Sequence, residues 1–488
     1  MVGDAGHTMR NAGLLMAQRG FHVLGVTLFA VLVPRLMGPA LFGRYALLIS
    51  VSLWFALLNA PGAVSMLTRS IPRFVAANDG DGLRRLATSL VVLRALTGSF
   101  AAVGYFLAST LVLGEPDRVA AAFVAAGVLC CTVGTLSFAL FLGLNQAARW
   151  GLGDLLHRWL ALAFVPIGFA AAGLRGACLG FLGVELTVAA CGLWWARRYL
   201  RWRDVDLSRR HLGPHLRTGM HFAAGAVLMV FTQRSGETLV RLSTGRYEDV
   251  AFFGLAYAIY LTIAQAMWQF AVAFAPFLVT LLERGRRDDV ALWLERLLKY
   301  MVVGAVLALA GMIFVGRDAV PLLLGAKFHA VAENAVPPML ALLTLSVGMT
   351  GRLLALTLDR PGATATGAAI ELAAFWLLGV PLAMWAGSLG ACWAVVPASA
   401  LHASYITWRM RRELPFSLVH AGRAVALSLV FAPLALLRGA WPANALLWTA
   451  GAVLYGVLLL KSRVITTDEV VGLWGLLRSA RPTDSPVG

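Results

Sequence analysis

Charge is what this sequence has least of. Asp, Glu, Lys and Arg supply 13% of its 488 residues, about half the share of a soluble globular chain. Against this stand 59% hydrophobic residues and a mean hydropathy of +0.77. So few charges cannot cover that much apolar surface in water, which excludes a soluble enzyme and a disordered scaffold and leaves an all-α polytopic membrane protein. Acidic residues are the scarcer sign, 24 against 41 basic. The resulting excess of +17 is dispersed in short clusters between apolar stretches, which is the positive-inside pattern and not a nucleic-acid-binding face. Lysine is almost missing, 3 against 38 arginines, a bias that fits GC-rich codon usage better than a guanidinium requirement at every site. Cysteine is sparse as well. Cys130, Cys131, Cys178, Cys191 and Cys392 lie in or beside apolar stretches without metal-ligand spacing, so neither a disulfide framework nor a zinc site is expected. With no Walker loop, Ser/His/Asp set or His/Cys cluster either, the sequence points to no catalytic residue, metal or cofactor.

What is present is apolar length. A bilayer core needs about 20 apolar residues per helix, and cutting at the Arg clusters and the Gly/Pro/Asp punctuation predicts about 14 transmembrane helices. They fall near 13–34, 45–66, 89–113, 119–143, 153–173, 176–196, 220–242, 250–281, 300–320, 336–358, 363–385, 390–408, 423–438 and 443–461. The polar start MVGDAGHTMR enters the first of these without a cleavage site and reads as an uncleaved helix. With the N-terminus in the cytoplasm, the inner segments hold 27 basic residues, the outer loops 8 and the spans 6. An N-in, C-in, multi-pass protein of a bacterial inner membrane is expected.

The largest cluster, Arg197, Arg198, Arg201, Arg203, Arg209, Arg210 and Arg217, follows the sixth span and divides the chain. A weak repeat supports the division: Arg35-Leu36, Gly38 and Phe42-Gly43 against Arg241-Leu242, Gly245 and Phe253-Gly254. Six spans return the chain to its starting side, so the halves are two parallel six-helix lobes. The expected domains are an N-terminal lobe 1–196, a basic linker 197–219, a C-terminal lobe 220–412, an appended two-helix hairpin 413–462 and a cytoplasmic tail 463–488, in which Thr466 and Glu469 form a capping box. Two lobes point to a transporter. No outer loop exceeds roughly 20 residues, too short for the external catalytic insert of a membrane polymerase or ligase.

A charge at mid-bilayer costs roughly 2.5–3.5 kcal/mol on insertion scales, so it should face a cavity or a partner. Arg94, Arg158 and Arg352 lie near cytoplasmic ends and are expected to snorkel. Arg234, Glu237 and Arg241 share one face of the seventh span with Gln233 beside them. They form either a salt-bridge ladder between the lobes or a cavity wall. Arg19 and His22 on the first span add positive charge, and such a cavity suits an anionic substrate, because guanidinium stays ionised and binds phosphate bidentately. Glu185 and Glu371, near the middle of their spans, are either partners of an Arg or sites coupling transport to a proton or sodium gradient.

The run VPRLMGPALFGRYALLIS, Val33 to Ser50, resembles a landmark of Wzx-type polysaccharide flippases of the multidrug/oligosaccharidyl-lipid/polysaccharide (MOP) exporter superfamily. ETLVRLSTGRYEDVAFFGLAYAIY, Glu237 to Tyr260, looks like the start of that family's second lobe. GAVSMLTR, Gly62 to Arg69, and PLLLGAKFHAVAENAVPPML, Pro321 to Leu340, agree. The resemblance covers most of the chain through loose patterns. It implies movement of a polyprenyl-pyrophosphate-linked oligosaccharide repeat unit to the outer leaflet by alternating access, for cell-surface or exopolysaccharide biosynthesis, with polysaccharide polymerase and export proteins as possible partners. It also implies a cationic cavity carried here by Arg19, Arg234 and Arg241, with Arg69 at the inner mouth. Where family members often carry an Asp, this sequence has Glu237, which leaves a carboxylate-specific coupling role open. Two alternatives remain. An ion-coupled drug antiporter of the same superfamily would want acidic residues to dominate the cavity. A polymerase or ligase would have only His329 and Arg317 to work with.

Overall fold

The protein is described by a computed structural model that covers residues 2–59, 63–208, 210, 212–213, 227–466 and 469, with the backbone alone at 2–20, 22–23, 63–65, 68–69 and 147. The long helices are α1 (Val2–Leu58), α2 (Ala63–Ala76), α3 (Gly80–Leu107), α4 (Arg118–Gly143) and α5 (Ala147–Ala196). Helical residues 227–234 then lead into α6 (Gly236–Thr244), α7 (Tyr247–Val272), α8 (Ala275–Glu283), α9 (Arg287–Gly311) and α10 (Arg317–Leu324). The chain ends with α11 (His329–Thr357), α12 (Pro361–Arg411), α13 (Val419–Leu427), α14 (Phe431–Leu436) and α15 (Trp441–Lys461). Among the described residues no strand occurs, and 10 helical stretches are long and apolar enough to cross a membrane. The chain is an all-helical, multi-pass membrane protein.

Ten stretches stand where fourteen spans were expected because α1, α5 and α12 each run two expected spans together across a bend, and the seventh expected span is only partly described. In α1 the break is Gly38 (φ 73°, ψ 168°), between Pro34 and Pro39. In α5 it is Ala172 (φ −144°, ψ 25°) and Gly173 (φ 60°, ψ −139°), and in α12 Ala386 (φ −125°, ψ 19°) and Gly387 (φ 61°, ψ −142°). Only glycine adopts such a positive φ without steric cost, so these residues decide where each helix folds back. About a third of the expected seventh span, residues 220–226, lies outside the described residues.

The same devices recur in the same order in the two halves. The left-handed residues Gly38, Asn78, Gly114, Asn145 and Gly173 are matched by Gly245, Gly285, Gly325, Asp359 and Gly387 at a nearly constant separation. The π-helical turns Ala108–Val112 and Met312–Gly316 close α3 and α9 alike. A side chain on Gly176 would stand 1.8 Å from the Gly168 carbonyl oxygen, and one on Gly390 would stand 1.9 Å from that of Leu382, five residues before the bend in each case. Backbone therefore touches backbone at both bends, the close approach that small residues permit between membrane helices.

By its contacts the chain forms two compact units, Met1–Ala256 with Leu323–Val331 and Thr364–Ala394, and Tyr257–Leu322 with Ala332–Ala363 and Val395–Gly488. In the first, α4 packs along both arms of α5, and α1 and α3 lie against them. Its core includes Met66, Leu67, Ile71, Leu86, Leu90, Phe138, Phe141 and Val184, with Trp195 edge-on to Phe138 at 5.7 Å. In the second, α9 packs on α13 and α15. Tyr455 donates to the Ala424 carbonyl at 3.0 Å, and Asn444 donates to Asp318 at 2.8 Å. Lys299, buried, donates to the Val464 carbonyl at 2.9 Å and to Glu469 at 2.7 Å. Thr466 and Glu469 exchange backbone and side-chain bonds at 3.2 and 3.4 Å, the capping box read from the sequence. Burial alone would raise the Glu469 carboxyl, but Lys299, the Thr466 amide and Arg296 hold it below its ordinary value.

Candidate substrate site

Most of the residues singled out in the sequence fall in the first unit. The seventh span is interrupted at Ser235, between helical residues 227–234 and α6. Gly236 is required there, since a β-carbon would stand 2.1 Å from the Phe253 ring. The interruption frees the Arg234 carbonyl, and α1 satisfies it twice: Ser50 Oγ donates at 2.9 Å and Trp54 Nε1 at 3.1 Å. Ser50 Oγ also stands 3.1 Å from Glu237 Oε2. Glu237 is buried in the first turn of α6, where the helix N-terminus favours a carboxylate. Broken membrane helices gather ionic groups in this way, at a point where backbone groups are free to bind.

The Arg234 side chain is half-buried and so is Gln233. Arg234 is within electrostatic reach of Arg158 on α5, which also faces Asp154 and Glu185. Arg158 thus does more than reach for the interface. Its Cβ is met by α1 at Gly25, its Nε is buried without a hydrogen bond, and its nearest acid, Asp154, is 3.9 Å away. Two guanidinium groups within electrostatic reach repel one another, and a bound anion would relieve the repulsion.

Glu185, 3% exposed, has a partner that sequence reasoning missed: His157 Nε2 is 2.8 Å from Glu185 Oε1. The two stand on opposite arms of α5, about 24 and 18 Å along the helix from the bend at Gly173, which brings them together at similar depth. Arg94 also departs from expectation. It is 6% exposed rather than snorkelling, and its guanidinium donates to the Asn59 carbonyl just past the end of α1, while Asn59 Nδ2 donates back to the Arg94 carbonyl at 3.2 Å. A cation at a helix C-terminus is favoured by the dipole and the unpaired carbonyls. Arg352, in the second unit, stacks 4.5 Å over Trp268.

Arg241 does not join Arg234. Its guanidinium donates to the Gly245 carbonyl, closing α6, and lies 3.9 Å over the Tyr247 ring. There it borders a second polar cluster that the sequence did not reveal. Glu115, buried, takes a hydrogen bond from Arg44 and stands 3.5 Å from the Tyr247 hydroxyl, and Gly43 packs directly on the Tyr247 backbone. Nearby, Asp117 caps α4 and accepts Arg175 Nε at 2.8 Å. Burial would raise that carboxyl, but Arg175 and the amides of α4 hold it below its usual range. Glu371 sits half-buried on α12, one turn beyond Ala368, whose carbonyl is 3.5 Å from the Thr232 hydroxyl. The side chains of Arg19, His22 and Arg69 lie outside the described residues. Among the described residues no group of His, Cys, Asp and Glu is arranged to hold a metal ion.

No family model and no curated protein matches this sequence. Solved structures do. A structure of the lipid II flippase MurJ in an inward closed conformation superposes over 94% of this chain and 100% of its own, with a TM-score of 0.73 at 12% identity. An inward-facing multidrug resistance MATE family transporter of the MOP superfamily covers 82% of this chain and 94% of its own, with a TM-score of 0.64 at 16% identity. The fold is that of the MOP transporters. At these identities the likeness is one of fold, and the MOP neighbours are transporters and flippases rather than enzymes. Within that fold, the broken seventh span, Arg158 and the His157–Glu185 pair make up the ionic centre of the first unit.

Proposed function

We propose that the protein is a flippase of the Wzx type, carrying a polyprenyl-pyrophosphate-linked oligosaccharide from the cytoplasmic to the outer leaflet of a bacterial inner membrane by alternating access. The observation that carries this reading is that Arg158, whose Nε is buried without a hydrogen bond, lies within electrostatic reach of Arg234 beside a broken helix. Each guanidinium offers a planar set of donors that fits a phosphate oxygen pair, and a pyrophosphate supplies the charge both lack. The MurJ neighbour, a lipid II flippase, supports the class of cargo without extending to its sugars. In this reading both termini face the cytoplasm, and polysaccharide polymerase and export proteins take the product onward.

His157 and Glu185 are proposed as the coupling site for a proton or sodium gradient, since a buried carboxylate beside an imidazole can exchange a proton as its access changes. The same pair favours the second reading, an ion-coupled drug antiporter, which the MATE neighbours also support. Competition binding to the purified protein separates the two. The flippase reading expects a short-chain polyprenyl-pyrophosphate oligosaccharide to bind and the matching neutral polyprenol not to displace it. Displacement by a lipophilic cation, with no preference for pyrophosphate, would transfer the assignment to the antiporter.

A further inference from the structure

The second unit contains a groove of its own. It is about 570 Å³ in volume and lies between α11 and the end of α12, with Ala400, Ser404, Thr407, Trp408, Arg411 and, just beyond the helix, Arg412 in its lining. Ala400, Ser404, Trp408 and Arg411 form one stripe of α12 at i, i+4, i+8 and i+11. The small residues hollow out the deep end, and the mouth carries an exposed Trp and two exposed Arg.

The charges at the mouth are unevenly paired. Arg409 and Arg360 share Glu413, at 3.2 and 3.9 Å. Arg411 and Arg412 have no acidic partner among the described residues, and Arg412 is held 4.0 Å over the Trp408 ring. Stacking fixes the plane of that guanidinium beside the opening. An apolar channel with two uncompensated arginines and an interfacial tryptophan at its mouth is complementary to one kind of molecule in a bilayer, a lipid with an acidic headgroup.

We propose that this groove binds one anionic diacyl phospholipid, with its phosphate on Arg411 and Arg412 and an acyl chain along Ala400, Ser404 and Thr407. Two charge-assisted contacts that a zwitterionic headgroup satisfies less well imply a preference of about tenfold or more. The test is native mass spectrometry of the full chain in mild detergent, titrated separately with phosphatidylglycerol and phosphatidylethanolamine. One phosphatidylglycerol should be retained preferentially. Arg411→Gln with Arg412→Gln should erase the preference. Ser404→Trp, which fills the channel while leaving the charges, should abolish retention of that lipid. Arg284→Gln with Arg287→Gln, an equally exposed basic pair elsewhere in the unit, should change nothing. Equal retention of both lipids by the native chain, a preference that survives the Arg411/Arg412 change or Ser404→Trp, or equal loss in the Arg284/Arg287 control would each overturn the assignment. So would displacement of phosphatidylglycerol by polyprenyl phosphate at equal concentration, which would make the groove a seat for the cargo lipid.

Discussion

Arg234→Gln separates charge from architecture more cleanly than other changes at the site. The junction between α1 and the broken seventh span uses the carbonyl of Arg234, which accepts Ser50 at 2.9 Å and Trp54 at 3.1 Å, and not its guanidinium. A glutamine keeps that carbonyl, much of the apolar stem and a polar head, so the unfolding temperature should stay close to that of the native chain. It removes a cation facing Arg158, and the repulsion between the two falls away. The fold should therefore be unharmed or slightly stabilised, while affinity for a pyrophosphate-linked lipid falls. One charge-assisted hydrogen bond contributes about 1.5–3 kcal/mol, equivalent to a loss of about 10- to 150-fold in binding. Arg158→Gln should lose a similar amount. The converse changes, Ser50→Ala with Trp54→Phe, should lower thermal stability by about 1–3 kcal/mol, because they leave a part-buried carbonyl without its two donors. Binding of a short-chain polyprenyl-pyrophosphate oligosaccharide by isothermal calorimetry, beside a thermal shift in the same detergent, reads both effects. Native-like affinity in both Arg variants would refute the idea that their juxtaposition binds an anion.

Three further outcomes follow from the geometry. Glu185→Gln should leave cargo binding within about threefold of native but remove the dependence of transport on an imposed proton or sodium gradient, and His157→Gln should do the same; a gradient effect that survives both changes would exclude this pair as the coupling site. Gly390→Val should destabilise by about 1–3 kcal/mol, and Gly176→Val likewise, since each would place a side chain within 2 Å of a backbone oxygen; unchanged thermal unfolding would contradict the packing at the two bends. The Glu469 carboxyl is held below its ordinary value, so its contribution is fully present above about pH 4.3 and is lost as pH falls through the lower folded value. The acid-induced fall in unfolding temperature should accordingly be smaller in Lys299→Met, and an identical fall in both proteins would remove Lys299 as its cause.

The parts of this fold that follow local rules were legible in the sequence. Apolar length announced the helices, and the Arg-Leu-Gly repeat marked Gly38 and Gly245, both left-handed in the structure. The capping box at Thr466 needed only a spacing of three. Arg234 and Glu237 were recognisable because charges at such depth are costly, and both stand at the interrupted helix. What was hidden depends on neighbours distant in sequence. His157 meets Glu185 only because α5 folds back at Gly173, and nothing in GDLLHRWL says that it does. Arg94 lies near a span end, which favours snorkelling, but the end of α1 offers it unpaired carbonyls instead. Helical periodicity put Arg241 on the face of Arg234, yet the break at Ser235 and the ring of Tyr247 give it a different role. Fourteen spans were counted, and at Gly173 and Gly387 a glycine turns the chain from one expected span into the next without a loop, because the sequence signal for a bend is the same as for a loop.

The central claim is that the protein moves a lipid-linked pyrophosphate across the bilayer. The direct measurement reconstitutes the native chain in liposomes containing a fluorescent polyprenyl-pyrophosphate oligosaccharide and follows its exposure on the opposite leaflet by quenching with a membrane-impermeant reagent. The account predicts transfer well above that of protein-free liposomes, slowed by Arg158→Gln and Arg234→Gln. Insertion of correctly folded protein with no transfer above the protein-free rate, with and without a proton or sodium gradient, would contradict it.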